Sequence, residues 1–131
     1  MQIKSIMFIA LFFLAVITFA VSAGIDGNAR VSYDRLQALA NGRPATPLSS
    51  PLFSDLEIAG VAQDQLDMYL AGVIDSGESN DWCVARSGLL SSEVNEMLLA
   101  ALKQDYQHHK FASRDNAAVL LARKLSVLFP C

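Results

Sequence analysis

The chain is 131 residues long and 53% hydrophobic, with a formal charge of −3. Residues 1–23 hold 18 of the apolar residues and four of the seven Phe, and Lys4 is their one charge; the other 108 residues are about 47% apolar, with nine basic against thirteen acidic residues, an ordinary soluble composition. That length allows one small domain with one core, and the acidic balance speaks against a nucleic-acid partner, whose phosphates need clustered Lys and Arg, and against an acidic membrane surface.

Lys4 precedes an uncharged run from Ile6 to Val21, and Val21-Ser22-Ala23 puts small residues where a signal peptidase reads. This is the secretory pattern. The run is shorter than the roughly 20 residues a membrane-spanning helix needs. The reading is a cleaved leader over 1–23, an N-terminal helix and Pro-rich linker over 24–53, and a helical domain over 54–131. The mature chain is expected to be exported and soluble, with no membrane association, which in a Gram-negative cell means the periplasm.

Export changes how the two cysteines read. Cys83 and Cys131 both lie beyond the leader, and there is no third. In an oxidising compartment they are expected to form one disulfide. The chain-entropy model gives roughly 4 kcal/mol for a loop of this length. A metal site is not expected: the only His residues are the adjacent pair His108-His109, and neighbours on a helix point about 100° apart.

In chain order, the first helix is predicted over Tyr33–Ala40. Ser32 is its candidate cap, Asp34 suits its positive end, and Asn41-Gly42 can close it. Pro44, Pro47 and Pro51 then forbid a continuous helix. The second helix opens on the capping box Ser54-Asp55-Leu56-Glu57 and runs to about Asp75, with an interruption near Gly60 held open. Leu66, Tyr69, Leu70 and Val73 recur at helical spacing. Gly72 lies inside it, where close approach of another helix would account for a residue costing about 1 kcal/mol against Ala. Tyr69 reads as a core residue with its hydroxyl at the surface. Residues 76–82 read as an acidic loop pinned by Cys83. The third helix starts near Ser91 or Ser92, with Val94, Met97, Leu98, Ala101 and Leu102 as its stripe, and Gln104–Lys110 reads as a fraying connection. The fourth helix is predicted to be capped by Ser113 and stopped by Pro130. The fold class is therefore all-α, a small disulfide-closed bundle of about four helices.

Chemistry is scarce. No phosphate loop, metal motif or nucleophile elbow is present, so no catalytic residue, metal or cofactor is assigned and the chain is not read as an enzyme. Asp67 and Asp75 lie eight apart on one helix and can share a face; a solvated acidic face is the simpler reading than acid–base work. Trp82 is read first as packing over the disulfide, and second as an exposed anchor at an interface.

Tyr69-Leu70-Ala71-Gly72-Val73-Ile74-Asp75, then Trp82-Cys83-Val84, the amphipathic helix with Leu98, Ala118 to Leu121, and the closing Phe129-Pro130-Cys131 form an ordered pattern over residues 66–131. It resembles the Rap/Tai family of type VI secretion immunity proteins. It departs from that pattern in having Leu66 and Met68 where relatives often carry a further Cys, and Ala85-Arg86 where a Pro often follows. The resemblance implies a small helical periplasmic protein, often a homodimer, that blocks the catalytic cleft of a peptidoglycan amidase effector. Two segments are the candidate plugs for that cleft. The first is the acidic loop, with Asp75, Glu78, Asn80, Asp81 and Trp82. The second is the connection with Tyr106, His108 and His109. An acidic loop would suit a basic groove and speed association. The rival reading is a periplasmic helical adaptor or chaperone with no toxin partner.

Overall fold

The computed structural model describes residues 31–46 and 52–131. The leader with its cleavage point, residues 24–30, and Pro47 and Pro51 of the linker lie outside the described residues. Val31–Cys131 forms one compact unit. Its elements are α1 (Tyr33–Ala40), α2 (Asp55–Gly77), a 3-10 turn (Val84–Ser87), α3 (Ser91–Gln107) and α4 (Ala117–Leu128). No strand occurs among the described residues, only isolated bridges at Ser32–Asn116 and Glu78–Trp82. The all-α bundle is as expected, and a Cys83–Cys131 disulfide closes it.

The start of α2 and the end of α1 are set locally. At the start of α2, Ser54 Oγ accepts from Glu57 N at 3.3 Å and Glu57 Oε2 accepts from Ser54 N at 2.8 Å. The reciprocal pair satisfies two backbone donors that a helix start leaves without intrahelical partners. At the end of α1, Gly42 N donates to Leu39 O and Arg43 N to Ala38 O. That is a Schellman closure with Gly42 in the left-handed region at φ +77°.

α1 starts differently from the expectation. Ser32 makes no capping bond; its hydroxyl donates to Asp34 Oδ1 instead. The free donors of α1 are met from across the fold: Tyr33 N donates to Asp115 O at 2.9 Å and Asp34 N to Ser113 O at 3.0 Å, while Ala117 N returns a bond to Val31 O at 2.8 Å. This exchange also displaces the start of α4. Ser113 does not cap it. Asn116 does, its Oδ1 accepting from Ala118 N at 2.9 Å; the Ser113 and Asp115 carbonyls run beside the start of α1, and the helix begins only after them, at Ala117.

The core takes one stripe from each helix: Leu36 and Leu39 of α1, Ala62, Leu66 and Leu70 of α2, Val94, Leu98 and Leu102 of α3, and Leu121 and Leu125 of α4, with Trp82 and Phe129 at its edge. These recur at i, i+3 or i+4, the spacing that aligns side chains on one helix face. Each fully buried Leu contributes about 1.5–3 kcal/mol. α1 packs on α2, while α2 and α3 both pack on α4 and hardly on each other. The space this leaves between α2 and α3 is a groove.

Two further expectations are corrected. α2 runs unbroken through Gly60, and a Cβ added at Gly60 or Gly72 would meet nothing within 4 Å. No helix approaches Gly72. The glycine under close approach is Gly77, where a Cβ would lie 2.5 Å from the Trp82 ring.

Candidate functional site

The segment after α2 is a tight, pre-formed turn. Asn80 N, Asp81 N and Trp82 N all converge on Gly77 O, at 3.1, 2.8 and 3.3 Å. Ser79 N donates to Trp82 O at 2.8 Å, and Ser79 takes a left-handed φ of +68°. Glu78 clamps the next element: its two carboxylate oxygens accept from Val84 N and Ala85 N, each at 3.0 Å. A carboxylate at the start of a 3-10 turn meets that turn's free donors. Trp82 is buried, 4% exposed, and its Nε1 donates to Ile74 O at 2.7 Å. Of the five residues proposed for this plug, Asp75, Asn80 and Asp81 face solvent, Glu78 is half-buried, and Trp82 turns inward as the turn's anchor.

The second candidate segment has a structural role of its own. α3 does not fray at Gln104 but continues to Gln107. His109 N donates to Tyr106 O and Lys110 N to Asp105 O, both at 3.0 Å, another Schellman closure. His109 occupies its left-handed position at φ +55°. The Tyr106 ring packs at 4.9 Å from Tyr33 and 5.8 Å from Phe111. Burial, with Tyr106 as a smaller cause, raises the Tyr33 hydroxyl above the usual tyrosine range. His108 and His109 are exposed.

Asp105 holds this end together. Lys124 Nζ of α4 stands 2.5 Å from its Oδ2 and Lys110 Nζ 2.9 Å from its Oδ1. The Lys124 hydrogen bond, then that of Lys110, pulls the Asp105 carboxyl below the ordinary carboxylate range. A depressed folded value means stabilisation is present above the unfolded carboxyl pKa, ~3.9, and is lost as pH falls through the lower folded value. The Lys110 side chain is 61% exposed, so solvent screening keeps the effect to about 1 kcal/mol or less. Urea unfolding should find Asp105→Asn slightly less stable than the parent at neutral pH. The gap should close as pH falls through the lowered folded value of Asp105; a gap that persists in acid would assign the loss to packing.

The two candidate segments are not one surface. Cys83 is tied to the residues after α4 by the disulfide and by Cys83 N donating to Phe129 O at 2.8 Å. His108–Lys110 lies in the connection that leads into α4. The 12 residues of α4 place about 18 Å between its ends.

The feature the sequence did not reveal is the groove between α2 and α3, about 680 Å³ in volume. Leu66, Ile74, Val84, Leu89 and Leu99 give it an apolar lining, and Asp67, Asp75, Glu78 and Glu96 are its charged residues; among the described residues no Lys, Arg or His lines it. Asp67 and Asp75 do share this face. Asp67 Oδ1 accepts from Asn95 Nδ2 across the groove at 3.1 Å and from Gln63 Nε2 at 3.0 Å. Among the described residues no group of three or more His, Cys, Asp or Glu is placed to hold a metal ion. Compared with known proteins, the chain matches no family model and no curated relative.

Proposed function

We propose that this chain is a periplasmic immunity protein that binds and occludes the active site of a type VI secretion peptidoglycan amidase, protecting the cell that makes it. The observation that supports this reading is the turn Gly77–Trp82. It is locked by three backbone donors on one carbonyl and by the buried indole, yet it presents Asn80 and Asp81 to solvent. A rigid protrusion enters a cleft without the entropy cost of ordering a loop. Its acidity suits a basic groove in the partner and speeds encounter. The disulfide suits an oxidising compartment.

The test uses an NlpC/P60-like amidase encoded beside this gene. The double variant Asn80→Arg/Asp81→Arg should bind it at least roughly 100-fold more weakly, since like charges facing each other across an interface cost several kcal/mol. It should also fail to protect cells expressing that amidase in the periplasm. Both residues are exposed, so the melting temperature should not move. Full protection by a correctly folded double variant, or the lack of both a neighbouring hydrolase gene and a captured hydrolase, would count decisively against the reading. A second reading, a helical adaptor or chaperone, draws on the exposed apolar side chains at the start of α2, Leu52 at 86%, Phe53 at 47% and Leu56 at 83%. Exposed apolar side chains close together in sequence are where this reading would place client contacts. It predicts suppression of aggregation of unfolded clients, which a dedicated immunity protein would not show.

A further inference from the structure

We propose that the groove between α2 and α3 is a second docking site, and that its occupant is a basic amphipathic helix of a partner protein. This does not rest on the amidase reading, which concerns the exposed tip of the turn at Asn80 and Asp81; of that turn only Glu78 also lines the groove.

The chemistry of the groove selects that occupant. Its α2 wall extends from Gln63 to Glu78, about 22 Å of helix. Its α3 wall is the first half of that helix, from Ser91 to Leu99. Two helices that flank a shared apolar floor leave a trough between them, the shape a third helix fills. The floor is apolar, through Leu66, Ile74 and Leu99, and Leu89 at the mouth is 40% exposed. An occupant must therefore bring apolar side chains at i, i+3, i+4 and i+7.

The rim sets the sign of its charge. Glu78 and Asp67 are held by hydrogen bonds within the protein. Asp75 and Glu96 have neither an ion pair nor a hydrogen bond from any described side chain. Among the described cations, Lys110 and Lys124 pair with Asp105, Arg35 donates to Ala45 O, and none lines the groove. Two unneutralised carboxylates beside an apolar surface favour Lys or Arg flanking an apolar stripe, and reject an acidic helix by repulsion.

The test probe is a synthetic helical peptide of about 15 residues, with Leu on one face and Lys on both flanks, titrated into the folded, disulfide-intact protein. Fluorescence anisotropy gives the affinity, and amide chemical shifts give the location. Binding should perturb the groove residues, weaken with salt, and weaken about 10-fold in Asp75→Asn/Glu96→Gln, equivalent to about 1.4 kcal/mol. Ala71 is exposed and lines the groove, so Ala71→Arg should abolish binding while leaving the circular dichroism unchanged. The same peptide with Glu in place of Lys should not bind. The proposal is overturned by equal binding of the Glu peptide, by affinity indifferent to both variants, by shifts mapped to the exposed Gly72 and Ser76 on the other face of α2, or by no binding up to about 1 mM. If the parent protein binds the amidase but not the Lys peptide, this proposal alone is sunk; if it binds the peptide in the groove but not the amidase, only the amidase reading is.

Discussion

Replacing Cys83 and Cys131 together by Ala should lower the stability of the domain by about 2–4 kcal/mol and its melting temperature by roughly 10–25 °C. The bridge spans 48 residues, with Cα atoms 4.9 Å apart. The loop it closes contains α3 and α4, so reduction releases the half of the domain that carries Leu98, Leu102, Leu121 and Leu125. The chain-entropy model gives about 4 kcal/mol as an upper figure, and residual structure in the unfolded chain brings it down. Domains of this size are stable by only about 5–15 kcal/mol, so the bridge supplies a large share. The native geometry around it does not depend on the bond alone: Cys83 N still donates to Phe129 O, and Phe129 N to Leu125 O. The variant should therefore fold at low temperature with the near-ultraviolet signal of Trp82 intact. A loss under about 1 kcal/mol, measured by urea unfolding at neutral pH, would show that the bridge merely reports proximity.

Much of this architecture was legible in local signals. The bounds of α1 follow from Asp34 and the Asn41-Gly42 closure, and the start of α2 from Ser54 and Glu57. The stripes Leu66–Leu70 and Val94–Leu98–Leu102 marked the buried faces correctly. What escaped depends on contacts distant in sequence. Ser113 looks like a cap, but its carbonyl is taken by Asp34 N of α1, and Asn116 caps instead. Gln104–Gln107 looks polar enough to fray, but Asp105 is pinned by Lys124 and Tyr106 stacks on Tyr33. Met97 falls on the apolar stripe yet is 41% exposed, because stripe width is set by neighbouring helices, not by spacing. The groove is the largest such case. Periodicity placed Asp67 and Asp75 on one face, but the separation of α2 and α3, which turns that face into a trough, is a property of how both helices rest on α4.

Gly72 and Gly77 of α2 should respond to Ala in opposite directions, and Trp82 is the reason. Gly72 is exposed with open space where a Cβ would go, so Gly72→Ala should stabilise by about 1 kcal/mol through helix propensity and a less free unfolded chain. Gly77 is buried, and a Cβ there would lie 2.5, 2.6 and 2.8 Å from three indole carbons. Those atoms belong to a rigid ring that cannot retreat: it is 4% exposed and its Nε1 is bonded to Ile74 O. Gly77→Ala should therefore cost about 1–3 kcal/mol as an overpacked site, despite the better helix former. Trp82→Ala should cost about 3–5 kcal/mol, the range for emptying a buried aromatic site. Combining Trp82→Ala with Gly77→Ala separates the causes. If the clash with the ring is what penalises the added methyl group, Gly77→Ala becomes neutral or stabilising once the indole is gone, giving a coupling of about 1–3 kcal/mol in a double-mutant cycle. Additive losses would instead mean that Gly77 is required for the backbone path of the turn, since its carbonyl accepts from Asn80, Asp81 and Trp82. The same pair tests the turn's rigidity: with the indole removed, amide exchange at Asn80 and Asp81 should accelerate while that of Leu98 in α3 changes only with global stability.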